Sequence, residues 1–160
     1  MTDAIVVKEL PPDFAAWDAL LALITRSFAS MDGVIDPPSS ARLLTGDNLR
    51  RKAGSETTLL AMQGDSLIGC LFLAERERSF YVGKLAVDPA MQGLGIGKRL
   101  VKAAEALALA RDKPALELQT RVELAANHAF FARLGFVEIA RTAHAGFDRP
   151  TSITFRKVLS

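Results

Sequence analysis

Hydrophobic and polar positions divide the chain into short elements. Residues 4–9 are apolar and β-branched at their centre (Ile5, Val6, Val7), which predicts a first strand over Ala4–Glu9. Pro11 and Pro12 stop it. Asp13 is placed to cap a helix whose apolar positions Phe14, Trp17, Leu20, Leu21, Ile24 and Phe28 recur at helical spacing, with Trp17 in the core. Met31–Ser40 (MDGVIDPPSS) is rich in turn residues and reads as a loop. A weaker helical pattern covers Ala41–Lys52, with a break near Gly46. Its Arg42, Arg50, Arg51 and Lys52 read as a solvated face. Three strand patterns follow, Thr57–Gln63, Ser66–Ala74 and Phe80–Asp88. The turn Gly64-Asp65 and the charged reversal Glu75–Arg78 join them, connections short enough to imply an antiparallel meander.

The clearest helix spans Gly95–Arg111. Ile96, Leu100, Ala103, Ala104 and Leu107 form one stripe, and Lys98, Lys102 and Glu105 face away. Pro114 breaks the chain before a strand at Leu116–Thr120. Leu124–Leu134 is helical, with Gly135 as its left-handed stop. Phe136–Ala143 and Thr151–Val158 are two last strands, joined around Gly146 and Pro150. The order β-α-α-β-β-β-α-β-α-β-β runs without repeat or linker, so residues 1–160 read as a single α/β domain.

Composition narrows the function classes. A formal net charge of +2 is too small to argue for nucleic acid or an anionic membrane. Cys70 is the only cysteine, which forbids an internal disulfide; inside the apolar run LIGCLFLA it reads as a buried, inert thiol. His128 and His144 are the only histidines and show no zinc spacing, so no metal is expected. The first residues carry no secretory pattern, and no apolar run approaches the ~20 residues of a membrane span. A cytoplasmic setting is the default expectation.

The chemistry-bearing stretch is QGLGIG, residues 92–97, followed by Lys98 and Arg99. Gly95 and Gly97 fall at the first turn of the long helix. The leading amides of a helix have no internal partners and the dipole there is positive, so an anion would be held by backbone N–H groups. A Walker loop does not fit, because Arg99 stands where Ser or Thr should bind magnesium. A GxGxxG dinucleotide fingerprint fails too, since its third glycine would fall at Lys98 or Leu100.

LAVDPAMQGLGIGKRLV resembles motif A of the GNAT superfamily of acyl-CoA-dependent N-acyltransferases, Q/R-x-x-G-x-G/A after a strand. Gln92, Gly95 and Gly97 fill the signature and Leu85-Ala86-Val87 the strand. NHAFFARLGFVE resembles that family's motif B, and the element order matches throughout. The resemblance implies a mixed, mostly antiparallel sheet of about seven strands with helices on both faces. It implies acetyl transfer from acetyl-CoA to a primary amine of a small molecule, peptide or protein. Backbone N–H groups of Gln92, Gly93, Leu94, Gly95, Ile96, Gly97 and Lys98 would hold the pyrophosphate. Leu85, Ala86 and Val87 would pair with the pantetheine arm, the strands splaying after Val87. The Val87 amide would polarise the thioester carbonyl. Asn127 would lie near the pantetheine and Phe131 near the sulfur.

The chain departs from the common pattern where the resemblance matters most for proton transfer. Phe131 stands where many relatives carry a tyrosine, Gln119 where some carry a glutamate, and Leu94 where a basic residue is common. Those departures keep open an alternative, a coenzyme A-binding regulatory or interaction module without turnover. Tyr81, the only tyrosine, is the candidate catalytic residue; simple strand alternation puts it on one face with Gly83, Leu85 and Val87. Lys84 either lines an acceptor pocket or snorkels to the surface. Glu117 and His144 read as surface groups, and Asp32 and Asp36 as loop carboxylates that a cationic acceptor would find. The last strands leave an exposed edge on which a homodimer would form.

Overall fold

The computed structural model describes residues 4–160. Seven strands form one sheet in the order β1-β2-β3-β4-β5-β7-β6. The strands are β1 (Ile5–Glu9), β2 (Thr57–Gln63), β3 (Ser66–Glu75), β4 (Phe80–Val87), β5 (Ala115–Arg121), β6 (Val137–Thr142) and β7 (Ser152–Val158). The helices are α1 (Trp17–Phe28), α2 (Gly46–Ser55), α3 (Ile96–Ala110) and α4 (Ala125–Arg133). Strands β2 to β4 form the expected antiparallel meander, and β1 pairs antiparallel with β2. β4 and β5 run parallel, joined through α3, and β7 lies antiparallel between β5 and β6.

Two cores hold the layers together. On one face Leu71, Leu73, Val82, Leu116 and Phe155 pack against Ile96, Leu100 and Ala104 of α3 and Phe131 of α4. On the other, Leu60, Cys70 and Phe72 pack against Leu20, Leu23 and Ile24 of α1 and Leu49 of α2. Each fully buried Leu or Phe contributes roughly 1.5–3 kcal/mol, so helices on both faces clamp the sheet that carries the site. Trp17 is half-buried in the second core, edge-on to Phe14 at 4.9 Å.

Two local expectations change, and the break expected near Gly46 takes a definite form. Asp13 does not cap α1, which begins at Trp17 after Ala16 with no side-chain cap. The pattern over Ala41–Lys52 resolves into a 3₁₀ turn, Ser40–Leu43, and a separate helix from Gly46. Thr45 caps that helix and Asn48 returns the bond, a reciprocal capping box that fixes its start. β4 carries a bulge between Gly83 and Ala86, with Lys84 in the left-handed region at φ 49°. The extra residue reverses the alternation, so Phe80 and Val82 face α3 before the bulge and Leu85 and Val87 face it afterwards. Tyr81 therefore lies on the opposite face from Leu85 and Val87. All six residues of β6 are exposed, Val137 and Ile139 among them, so the expected free edge is present.

Candidate active site

The approach to α3 is built by the backbone. Asp88 follows β4 and accepts from the Ala90 amide (3.0 Å), capping the turn Pro89–Met91, while its second oxygen meets Arg26 at 3.1 Å. Gly93 and Gly95 then adopt φ of 83° and 74°, where a side chain would be strained, and the space beside each is open. The first intrahelical bond runs from the Arg99 amide to the Gly95 carbonyl (3.0 Å). The amides of Ile96, Gly97 and Lys98 precede it and point out of the helix start. Gly97 has a different reason: a Cβ there would sit 3.3 Å from the Phe130 ring of α4. Two glycines shape the loop, and the third lets α4 close against it.

Beside this loop the sheet divides. β4 and β5 pair only at Phe80 with Leu116 and Tyr81 with Glu117. The strands part after Tyr81, six residues earlier along β4 than the resemblance suggested. The rest of the β4 edge faces a cleft of about 860 Å³. The Asp88 amide bonds back to Ile68 on β3, so the Val87 amide points the other way, into the gap, where it donates to Ser27 Oγ at 3.3 Å.

Of the residues the motifs single out, the cleft is lined by Leu85, Val87, Gln92, Gly93, Gly95, Ile96, Gly97, Lys98, Asn127 and Phe131. Two are not brought to it by their side chains. Ala86 is buried beside Cys70 in the α1/α2 core with its carbonyl toward Gly69 of β3, and Leu94 turns out to solvent, 57 % exposed. Phe131 is an apolar wall set edge-on against Phe130 and Phe136. Thr120 Oγ1, buried at the cleft, has no hydrogen-bond partner among the described residues, a polar handle the sequence did not flag.

The α1/α2 side of the cleft has another character. Tyr81 lines it, with the Arg76 guanidinium 4.7 Å from its ring centroid. Burial pushes the Tyr81 phenol up, while Arg76 and a backbone hydrogen bond from Gln119 act against that rise. Lys84, re-aimed by the bulge, donates to Ser40 Oγ at 2.8 Å. Its ammonium is held below the ordinary lysine range, first by burial and then by the charges of Lys52 and Arg121, with Glu56 opposing. Lys52 also lines the cleft, so one member of the α2 basic face turns inward. Arg121, at the end of β5, donates to the carbonyls of Pro37 (2.6 Å) and Pro38 (3.1 Å) and ties down the loop between the first two helices.

Other candidates fall elsewhere. Asp36 pairs with Arg149 at 3.0 Å and Glu117 with Arg156 at 2.6 Å; neither they nor Asp32 line the cleft. His144 is exposed, as the sequence suggests, and stands at the cleft rim with its ring bonded to Thr151 Oγ1. Cys70 is fully buried, and burial pushes its thiol up to about 12. No helix among the described residues is long and apolar enough to cross a membrane.

Known proteins share this fold. The ribosomal-protein-S18-alanine N-acetyltransferase of Escherichia coli superposes with a TM-score of 0.75 at 19% identity, covering 98% of this chain and 95% of that one. A GNAT-family acetyltransferase of Staphylococcus aureus gives 0.76 at 18% identity, over 98% and 100%. The PaiA N-acetyltransferase of Thermoplasma acidophilum, solved with coenzyme A, gives 0.75 at 17% identity, over 97% and 99%. No curated protein sequence matches the chain. The sequence profile of the acetyltransferase (GNAT) family matches residues 17–136, which takes in α1, the split strands, the glycine loop and α4, and the chain belongs to that family.

Proposed function

We propose that the protein transfers an acetyl group from acetyl-CoA directly to a primary amine. One observation carries this reading: the unpartnered amides at the start of α3 and the freed edge of β4 open into the same cleft. The residues present fit the donor. The amides of Ile96, Gly97 and Lys98, with the loop from Gln92, would hold its diphosphate, and Lys98 and Arg133 at the cleft add positive charge. The main chain from Leu85 to Val87 would pair with the pantetheine arm as an added strand. Asn127 and Phe131 would flank the arm. Acetyl-CoA supplies an activated thioester when bound.

The chain's own groups then have three tasks. The Val87 amide, which now meets Ser27, would turn to the carbonyl oxygen as negative charge develops there. The acceptor must lose a proton, and no carboxylate among the described residues lines the cleft to take it. Positive charge from Lys52, Lys84 and Arg121 favours the neutral amine, because like charges lower an ammonium's pKa. Tyr81, kept protonated by burial, would pass the released proton outward through water. Nitrogen bonds to the acetyl carbon as the carbon–sulfur bond breaks, and coenzyme A leaves as thiolate or thiol beside Phe131. The test is to mix the protein with acetyl-CoA and a broad amine panel and follow free thiol. Saturable, amine-dependent release is expected. Tight coenzyme A binding with no release for any amine would instead support a binding module without turnover.

A further inference from the structure

We propose that the acceptor is an amine carrying an anionic group, and that this group seats on Lys84, flanked by Lys52 and Arg121. The proposal rests on the acetyl-transfer reading above and narrows its acceptor.

The first observation is the charge of the cleft wall. Lys52, Lys84, Lys98, Arg121 and Arg133 line it, and among the described residues no aspartate or glutamate does. Lys98 and Arg133 belong to the α3/α4 side, where the donor's phosphates would account for them. Lys52, Lys84 and Arg121 come from three different elements on the other side, where the donor's phosphates would not reach. A cationic acceptor would be repelled by Lys84 there, and the loop carboxylate that would suit one, Asp36, is taken by Arg149.

The second observation concerns Lys84 itself. A left-handed lysine inside a strand costs on the order of 1 kcal/mol, and the bulge that imposes it aims the side chain into the cleft. Lys52 has a carboxylate behind it, Glu56 at 2.7 Å, and Arg121 has Glu123 and Asp36 in reach and two carbonyls on its guanidinium. Among the described residues the Lys84 ammonium donates one hydrogen bond, to the Ser40 hydroxyl, and lies 6.0 Å from the centroid of the Phe28 ring, which leaves two of its three N–H donors for a ligand. A half-buried ammonium beside two other cations calls for an anion, and the described residues of the cleft wall hold none. The shared chemistry is a compact anion, met by a carboxylate or a phosphate on the acceptor.

The experiment uses coenzyme A-saturated protein and a matched series of ω-amino acids, their primary amides, the corresponding diamines and aminoalkyl phosphonates. Dissociation constants are read by calorimetry, and thiol release from acetyl-CoA is followed in parallel. Acids or phosphonates should bind about tenfold tighter than amides of equal length, with diamines weakest. Acids ahead of phosphonates assigns a carboxylate, and the reverse assigns a phosphate. In Lys84→Met the preference should fall to about twofold, and in Lys52→Met by a smaller factor. The wild-type acid-to-amide ratio stands even if a variant fails to fold. Amides or diamines binding as well as acids, no acid or phosphonate binding at all, or an undiminished preference in folded Lys84→Met would overturn the proposal. If thiol release persists while the preference is absent, only the acceptor class falls. If no amine releases thiol while the preference holds, acetyl transfer falls instead.

Discussion

On the α3/α4 side of the cleft, the groups that would first meet an anion are backbone amides, those of Ile96, Gly97 and Lys98 behind a loop bent at Gly93 and Gly95, with the Lys98 and Arg133 side chains in support. On the α1/α2 side they are side chains, one each from α2, β4 and β5. The two ends differ in how they can change. An amide array keeps its chemistry whatever side chains surround it, provided the glycines allow the bend. A side-chain cluster gains or loses a charge with each substitution, so it can be retuned without disturbing the first end. One half of the cleft is suited to a constant donor, the other to a particular acceptor.

The largest expected effect separates the ends by ligand. S-acetylpantetheine, which lacks the diphosphate and the phosphoadenosine beyond it, should bind at least ~100-fold more weakly than acetyl-CoA, a loss in which the backbone cradle shares. Equal affinities by calorimetry would leave the cradle without a role. Next comes the proton path on the other side. Tyr81→Phe keeps the ring under Arg76 but removes the hydroxyl, and should lower kcat about tenfold with KM little changed. An unchanged kcat would assign Tyr81 to packing alone.

A smaller effect follows from Lys84. Its folded pKa is depressed, so the folded protein gives up this proton before the unfolded chain does. The cost of the buried charge is present below the folded pKa and is relieved as pH rises from there toward the ordinary lysine range. The same loss of charge removes the anion's partner. The preference for acids over amides should therefore fade at a lower pH than an ordinary lysine would set, while coenzyme A affinity holds. A preference that stays flat to the ordinary lysine range would remove Lys84 from the acceptor site. The smallest effect is at Cys70, buried with its thiol pushed up to about 12. It should resist maleimide at pH 8 until the protein is unfolded; rapid labelling of folded protein would contradict the α1/α2 core.

The fold was legible because its signals are local. β-branched runs, the turn Gly64-Asp65 and the stripe Ile96, Leu100, Ala104 each place an element without reference to the rest. The glycine loop was legible for the same reason, since its chemistry lies within seven consecutive residues. The acceptor side was not. Lys52, Lys84 and Arg121 converge only after α2, β4 and β5 have assembled. The bulge that re-aims Lys84, and sets Tyr81 on the face opposite Leu85, marks the sequence only as a change of phase, from Phe80 and Val82 to Leu85 and Val87, which simple alternation overlooks. Ser27 and Thr120 were passed over because a hydroxyl in an amphipathic helix or a strand looks like any other. Asp13 and Asp36 were misleading in the opposite sense, their residue types suggesting a cap and a cation site that the structure does not form.

The most direct test of the account is coenzyme A binding to Gly95→Val, with the fold checked by circular dichroism. Gly95 holds φ at 74° with open space around it, so valine disturbs the bend of the loop and no packed neighbour. The account predicts an affinity loss of about 100-fold in a folded protein. A folded variant that binds coenzyme A as tightly as the wild type would contradict it.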